Sequence, residues 1–540
     1  MFGRKKVDVF RVLQLLLFLS NCVHGLAEKN VFNHGRTESG KNFTGRKMGY
    51  FWHVTDMFFD PYYSPLGAPE DDCHIKNSEN FTRNCGFFGE FGQCSAFGLM
   101  ETIARAMNAT TRWKSTAPDF CIFTGNLRCP NIGDRQDDIY ETISAFVTDI
   151  RNAGFVTIYP SYGWYDYQPH GHHPLKLTTH YERVKNLLRD ERDSSNYCQK
   201  SLDHNPKVKQ ILGQPGPEIG YFSRVQPPEN RIRVIVMNTN FYVRNHIASR
   251  RPDPARQWRW LIEELRACRI AGQKAFIVMS VPPGFDRKSY SEENLDKGKE
   301  NLLVWSNGHN RRYLRIISKF RDVVAAQFAG HRHEDTFRLV YDRKGKAVSA
   351  VLLAPPMSPR FGNYPKIRIY MYDKHSGKLI DYVQYYFNLT KANQDADMTS
   401  PEKYWEVSYS FRDFYRLPDA TTSSFEKLVK NFQSDNNVVF DRYHSNAEGR
   451  VNHKATCDYR CKLISLCVIT SLEFGRFSEC VSGKFAADQI RTRLSVQPLP
   501  KPLRDRLFRR FNPISASPTP PSVNYMDRTE DTRVQAFQTF

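Results

Sequence analysis

The feature that most constrains this chain is a series of short apolar runs between residues 47 and 370, separated by turn residues and helical stretches. These runs have strand length and are rich in β-branched and aromatic residues; they lie at 50–54, 120–124, 155–159, 233–238, 275–278 and 323–328. A helix is predicted to start at Asp253, a good N-cap, with Pro254 in its first position. Its apolar residues recur every three or four positions from Trp258 to Cys268, so one face should pack on a sheet. The alternation predicts a layered α/β domain over 47–370.

Three further strands are predicted toward the end of this domain, at 337–341, 348–353 and 367–372. The segments on either side of the domain differ in character. Residues 371–482 form a smaller predicted region with a strand at 379–387, a helix at 424–432 and four cysteines. Residues 26–46 look like a polar leader. Residues 483–540 are rich in Pro, Ser and Arg with a net charge of +5, and we expect them to be a disordered basic tail.

The first 25 residues resemble a secretory signal. Arg4, Lys5 and Lys6 are followed by a short apolar stretch and by Gly25, after which cleavage is expected; the alternative is a buried N-terminal helix. No later segment is apolar for some 18 residues, so no transmembrane span is predicted and we expect a secreted, extracellular monomer. Secretion favours disulfides among the twelve cysteines and glycans at the Asn-x-Thr sequons, which are Asn42, Asn80, Asn108 and Asn388.

The chain is strongly basic, with a formal net charge of +20. The predicted signal accounts for +3 of this, so the mature chain carries about +17 by the same count. Such a charge indicates attraction to anionic lipid, glycosaminoglycan or another acidic polymer, or a solvated surface without a dedicated partner. No nucleic-acid-binding module is recognisable.

Five loops follow predicted strands at the positions where ligands bind open α/β sheets. They are 55–58, 124–126, 162–166, 279–284 and 330–335. In sequence and order these loops resemble the acid sphingomyelinase-like phosphodiesterases of the calcineurin-like metallophosphoesterase superfamily. The resemblance extends over about 48–482 and rests on FWHVTD at 51–56, DPYY at 60–63, NTNFY at 238–242, VPPGF at 281–285, QFAGHRH at 327–333, DYVQYY at 381–386 and LPDA at 417–420.

That resemblance implies a fold and a set of disulfides. The expected fold is a metallophosphoesterase β-sandwich flanked by helices, a four-layer α/β/β/α arrangement, with a small disulfide-bonded C-terminal extension. The implied pairs are Cys457–Cys461 and Cys467–Cys480, with Cys73–Cys94 as a third. The resemblance assigns no partners to the remaining mature cysteines, which are Cys85, Cys121, Cys129, Cys198 and Cys268.

The resemblance also implies two zinc ions, held by loops that are altered in this chain. Asp56 keeps the first carboxylate and His331 and His333 keep the last loop. Asn126 occupies the position of the bridging carboxylate. Other ligand or catalytic positions hold different residues: Phe58 and Ser280 stand where histidines belong, Trp164 where an Asn ligand belongs, and Tyr165 where the catalytic His belongs; Asp166 is kept.

These substitutions predict that the binuclear centre is lost. Two dications a few ångströms apart need an anionic bridge to offset their repulsion, and a neutral Asn126 cannot supply it. Tyr165 would be a weak proton donor, since its ordinary pKa is about 10 against about 6.5 for His. We therefore expect no metal, or at most one weakly bound divalent ion, and assign no catalytic residue.

Alternatives remain for individual residues. Asp56 could cap a turn or pair with a cation. Phe58 and Trp164 are packing residues in one interpretation and line an aromatic pocket for a lipid or base in another. A cluster of His170, His172 and His173 is either a surface loop or a compensating metal site.

Three functions follow from these observations. The first is a non-catalytic homologue that binds rather than cleaves, because activity depends on the site and not on the fold. The second is a residual phosphodiesterase with one metal at Asp56 and His333, acting on sphingomyelin, choline phosphodiesters or nucleotides. The third is a basic binder of anionic lipid or glycosaminoglycan.

Overall fold

The structure is a computed structural model that describes residues 47–75, 83–114, 118–130, 141–144, 146–148, 157–167, 169–175, 178–179, 181–183, 219–226, 229, 231–287, 303–395, 397–433, 438–449 and 457–481. These residues all belong to one compact unit, Arg46–Phe540. The predicted signal, leader and tail lie outside them, as do Asn42, Asn80 and Cys198. No helix among the described residues is both long and apolar enough to cross a bilayer.

The strands are, in chain order, β1 (Met48–Val54), β2 (Phe120–Phe123), β3 (Ile158–Pro160), β4 (Phe222–Gln226), β5 (Ile232–Val236), β6 (Lys274–Val278), β7 (Val324–Ala329), β8 (Thr336–Tyr341), β9 (Ala347–Leu353), β10 (Lys366–Asp373), β11 (Leu379–Phe387) and β12 (Trp405–Ser410). The α-helices are α1 (Phe97–Lys114), α2 (Gln257–Ile270), α3 (Asn307–Lys319), α4 (Leu389–Asp395), α5 (Phe411–Tyr415), α6 (Thr422–Phe432), α7 (Val438–Glu448), α8 (Tyr459–Thr470) and α9 (Phe474–Val481).

These strands form two six-stranded mixed sheets. The first has the order β12-β11-β10-β1-β2-β3, and the second has the order β4-β5-β6-β7-β9-β8. Strands β1, β2 and β3 are parallel to one another, and so are β5, β6, β7 and β9. The carboxyl ends of the parallel strands therefore meet at one edge of each sheet, which is where the five predicted loops begin.

The two sheets pack face to face. Phe51 of β1 stacks on Phe120 with ring centroids 4.7 Å apart and meets Phe328 of the second sheet edge-on at 5.3 Å. Both inner faces contribute to one buried apolar cluster. Burying a Phe side chain stabilises the fold by about 1.5–3 kcal/mol, so this interface is a main source of stability.

Helices cover both outer faces. Leu99, Ile103 and Met107 of α1 pack in a cluster with Trp52 and Phe123 of the first sheet. On the second sheet, α2 and α3 share a cluster with the outward side chains of β5, β6, β7 and β9. The expected four-layer α/β/β/α sandwich is confirmed.

Two local predictions need correction. The α-helix predicted from Asp253 begins at Gln257, because Ala255 and Arg256 have positive φ values of 50° and 58° in the preceding 3₁₀ turn. Asp253 still caps it, since its Oδ1 accepts the backbone N–H of Trp258 at 2.8 Å. The expected domain boundary at 370/371 falls inside β10, whose two neighbours in the sheet are β1 and β11.

The predicted Cys73–Cys94 disulfide is wrong. Cys73 pairs with Cys85, and Cys94 pairs with Cys129. Cys129 follows β2, so its partner is set by the path of the loop after that strand, which spacing alone does not reveal. The predicted pairs Cys457–Cys461 and Cys467–Cys480 are confirmed, and Cys121 and Cys268 are buried thiols.

Candidate functional site

The five loops converge where the carboxyl ends of the two sheets meet. The backbone N–H of Asp56, after β1, donates to the carbonyl of Gly125, after β2, at 2.9 Å. The N–H of Gly330, after β7, donates to the carbonyl of Ser280, after β6, at 3.1 Å. A Cβ on Gly125 would lie only 2.5 Å from Cα of Gly163, after β3, so a side chain there would clash with backbone. The sequence prediction that these loops share one location is confirmed.

The site backbone is strained. Of the ten described non-glycine residues with positive φ, five lie in these loops: Asp56 (51°), Phe58 (46°), Asn126 (58°), His331 (67°) and His333 (55°). Such conformations cost of order 1 kcal/mol or more each and persist only where surrounding structure enforces them. The backbone of these loops is therefore held in a strained conformation, although several of their side chains differ from the family pattern.

The central contact of the site joins Asn126 to Asp56. The side-chain amide of Asn126 donates from Nδ2 to Oδ1 of Asp56 at 2.7 Å, and both residues are fully buried. The Asn126 Oδ1 atom accepts the backbone N–H of Tyr165 at 3.3 Å, which assigns the amide orientation. The residue at the expected bridging position thus turns a donor toward the remaining carboxylate.

Asp56 has a second partner across the sandwich. Its Oδ2 accepts the backbone N–H of His331 at 2.9 Å. Burial raises the pKa of Asp56 to about 7, against the opposing effect of the hydrogen bonds from Asn126 and His331. Asp56 therefore caps the His331 loop, one of the two roles predicted for it.

Asp166 organises the loops after β2 and β3, a role that the sequence did not indicate. Its carboxylate accepts the backbone N–H groups of Asn126 at 2.9 Å, Leu127 at 2.7 Å and Gly163 at 2.8 Å. Burial raises its pKa, and these backbone hydrogen bonds act in the opposite direction. Its position before a Tyr in a Gly-Trp-Tyr-Asp loop carries no pattern that would have revealed its backbone partners.

An aromatic cluster surrounds Phe58. The Phe58 ring, 1% exposed, lies edge-on to Tyr165 at 5.7 Å, to His333 at 5.3 Å and to Phe361 at 5.4 Å. His333 stacks on Phe361 at 3.9 Å. Phe58 is therefore a packing residue at the centre of this cluster. Phe361, about 300 residues from its partner Phe58 along the chain, was not anticipated.

The other predicted residues of the site are Trp164, Tyr165, Ser280 and His331. The indole of Trp164 packs against Gly171, where a Cβ would lie 2.1 Å from the ring. Burial raises the pKa of Tyr165, which makes it a poorer proton donor than an exposed Tyr. Among the described residues, the buried Ser280 hydroxyl and His331 Nδ1 have no hydrogen-bond partner. Burial lowers the pKa of His331 to about 3, so its imidazole is neutral.

The remaining candidates are structural or untested. His173 is buried, not on a surface loop as predicted, and its Nε2 contacts the Gly163 carbonyl at 2.9 Å. Asn108 lies within α1, partly buried. Asn388 is partly buried, and its Oδ1 accepts the N–H of Lys391 at 3.2 Å. Glycosylation at both remains a prediction.

The side chains present do not fit a pair of divalent cations. Metal ligands must offer lone pairs, but Asn126 presents its N–H group to Asp56 and its oxygen to a backbone N–H. His333 Nε2 lies 3.9 Å from Asp56 Oδ1, and that oxygen already accepts a hydrogen bond from the Asn126 amide. His331 contacts Asp56 through its backbone N–H group.

Known proteins resemble this chain over most of its length. Residues 346–487 match the family model for the acid sphingomyelin phosphodiesterase C-terminal region. Acid sphingomyelinase-like phosphodiesterase 3b of Mus musculus is 27% identical over 452 residues, covering 81% of this chain and 91% of the relative. Cyclic GMP-AMP phosphodiesterase SMPDL3A of Homo sapiens is 27% identical over 448 residues, covering 80% and 90%.

A similarity to solved structures is weaker. A dimetal phosphatase from Danio rerio superposes with a TM-score of 0.33 and 10% identity, covering 62% of this chain and 95% of that protein. The sequence relatives, the C-terminal family match and the loop order agree with one another. Over most of its length the chain is similar to the acid sphingomyelinase-like phosphodiesterases.

Proposed function

We propose that this chain is a secreted, non-catalytic member of its family, which uses the phosphodiesterase fold for binding. The observation that carries the proposal is the 2.7 Å hydrogen bond from Asn126 Nδ2 to Asp56 Oδ1. In the two-metal site that the family resemblance implies, a carboxylate bridges the ions and offsets their repulsion. Here the bridging position holds the Asn126 amide. Its N–H group donates to Asp56, the carboxylate ligand that this chain keeps.

The aromatic cluster supports the same proposal. Phe58 replaces an expected histidine ligand and is enclosed by Tyr165, His333 and Phe361. A catalytic metal keeps one coordination position open for water or substrate. The packed aromatic rings around Phe58 fill the space that such a position would need. Tyr165, with its raised pKa, is also poorly suited to protonate a leaving group.

The proposal is tested by metal content and turnover on the full secreted protein. After incubation with zinc and gel filtration, we expect less than one zinc ion per chain and no hydrolysis of sphingomyelin, bis(p-nitrophenyl) phosphate or cyclic GMP-AMP. A family member with the intact metal loops serves as the positive control. Two tightly held zinc ions, or zinc-dependent turnover above the buffer rate, would refute the proposal.

The second candidate is a residual phosphodiesterase with one metal. The 3.9 Å separation of His333 Nε2 and Asp56 Oδ1 favours it, since both could face one ion if Asn126 rotated away. Turnover abolished by His333→Ala, and retained by the matched surface variant His375→Ala, would establish this candidate instead.

A further inference from the structure

The outer face formed by α2 and α3 carries a dense group of exposed cations. The exposed side chains of α3 are all cationic: Arg311, Arg315 and Lys319. They recur every four residues, so they form one row along the helix, with about 6 Å of rise between successive members. On α2 the exposed positions are Arg259, Arg266 and Arg269, followed by Ile270. We call these two helices the basic face.

The two helices are held side by side at both ends. Near their amino ends, the indole N–H of Trp258 donates to His309 Nδ1 at 2.9 Å. Near their carboxyl ends, the Arg269 guanidinium donates to the carbonyl of Lys319 at 3.0 Å. Both helices follow strands of the same parallel set, so they run in the same direction and their cation rows are roughly parallel.

Most of these cations have no structural role in the described chain. Arg269 pairs with Asp322, but Arg259, Arg266, Arg311, Arg315 and Lys319 have no carboxylate within 4 Å among the described residues. Like charges at i and i+4 destabilise a helix, by about 0.2–0.5 kcal/mol per pair. A helix surface that only faces solvent usually carries both acidic and basic residues, whereas α3 contains no acidic residue.

The geometry excludes insertion into a membrane. A membrane-bound amphipathic helix buries its apolar side in the lipid. Here the apolar sides are already used: Leu261 and Leu265 of α2, and Tyr313 and Ile317 of α3, are fully buried against the second sheet. Apart from Ile270, the exposed side chains of the two helices are cationic, and neither helix has an exposed aromatic side chain that could stack on a nucleobase.

We propose that the basic face binds a linear sulfated polysaccharide of the heparan sulfate type. Guanidinium groups bind sulfate and carboxylate oxygens in a bidentate manner, and arginine predominates on this face. Two parallel rows suit an extended chain with regularly repeated anions. The site is on the outer face of the second sheet and does not depend on whether the cleft near Asp56 is catalytic.

The test compares two triple variants of the full protein on immobilised heparin. Arg311→Gln, Arg315→Gln and Lys319→Gln together should weaken binding about tenfold, because each exposed ionic contact contributes modestly. The matched control, Lys391→Gln, Lys427→Gln and Lys430→Gln, removes the same charge from exposed positions on α4 and α6. It should change the affinity less than twofold. Equal losses in both variants would refute a specific face, since they would reflect net charge alone.

Wild-type protein provides an independent measurement. A heparin hexasaccharide should compete for binding, whereas unsulfated heparosan of the same length should not. Equal competition by heparosan, tighter binding to phosphatidylserine vesicles, or tighter binding to double-stranded DNA than to heparin would each overturn the proposal. The melting temperature of neither triple variant should fall below that of the wild type, because all six side chains are exposed.

Discussion

The Asp56 carboxylate accepts the backbone N–H of His331 at 2.9 Å, and this contact joins the loop after β1 of the first sheet to the loop after β7 of the second. The same carboxylate accepts the Asn126 amide after β2. Three loops with positive φ values at these residues thus depend on one acidic side chain. Asp56 therefore has a structural role that does not depend on the metal ligands replaced at Phe58, Asn126, Trp164 and Ser280.

We expect Asp56→Ala to destabilise the protein by about 2–5 kcal/mol, because it leaves two buried donors without an acceptor. Asp56→Asn keeps one acceptor oxygen and should cost clearly less. Urea unfolding of the two variants and the wild type measures the difference. An alanine variant within about 0.5 kcal/mol of the wild type would contradict this role for Asp56.

The pH dependence of stability should also report Asp56. Its pKa of about 7 lies above the ordinary value of 3.8, so between these values the folded state holds a proton that the unfolded state releases. This group therefore favours folding at low pH, and its contribution is lost as the pH rises toward 7. His331, with a pKa lowered to about 3, acts oppositely as the pH falls below 6.5.

The two effects can be separated with Asp56→Asn, which does not titrate. The melting temperature of the wild type should fall, relative to this variant, between pH 4 and pH 7. The corresponding difference in the free energy of unfolding should amount to a few kcal/mol at most. A wild-type curve parallel to that of the variant would show that the Asp56 pKa is not raised.

The strands and the site loops could be predicted from the sequence because both depend on local signals. The apolar run before Asp56 and the one before His331 end in polar loops, and each became a strand followed by a site loop. The helix start at Gln257 could not be predicted, because Ala255 has a positive φ that no local preference indicates.

Contacts between residues that are distant along the chain could not be predicted from the sequence. Phe361 stacks on His333, and Asp166 binds the backbone of Asn126, only because the two sheets bring separate loops together. The wrong pairing of Cys73 has the same origin: the path of the loop that carries Cys85 decides it, and cysteine spacing does not record that path.

Disulfide mapping checks this correction directly. Proteolysis without reduction, followed by mass spectrometry, should release peptides that link Cys73 to Cys85 and Cys94 to Cys129. After reduction these peptides should separate. A linked Cys73–Cys94 peptide would restore the pairing inferred from the family resemblance.

A buried ion pair beneath the basic face offers a last test of the architecture. Arg233 of β5 donates to Glu264 of α2 at 2.8 Å, and both side chains are 7% exposed. Glu264→Gln removes one charge and leaves the Arg233 guanidinium buried without its counterion, which should destabilise the protein by about 3 kcal/mol. The neighbouring Glu263 lies partly exposed on α2, and Glu263→Gln should change the free energy of unfolding by less than about 0.5 kcal/mol. Urea unfolding of both variants decides it: equal small effects would mean that α2 does not pack on β5 through this pair.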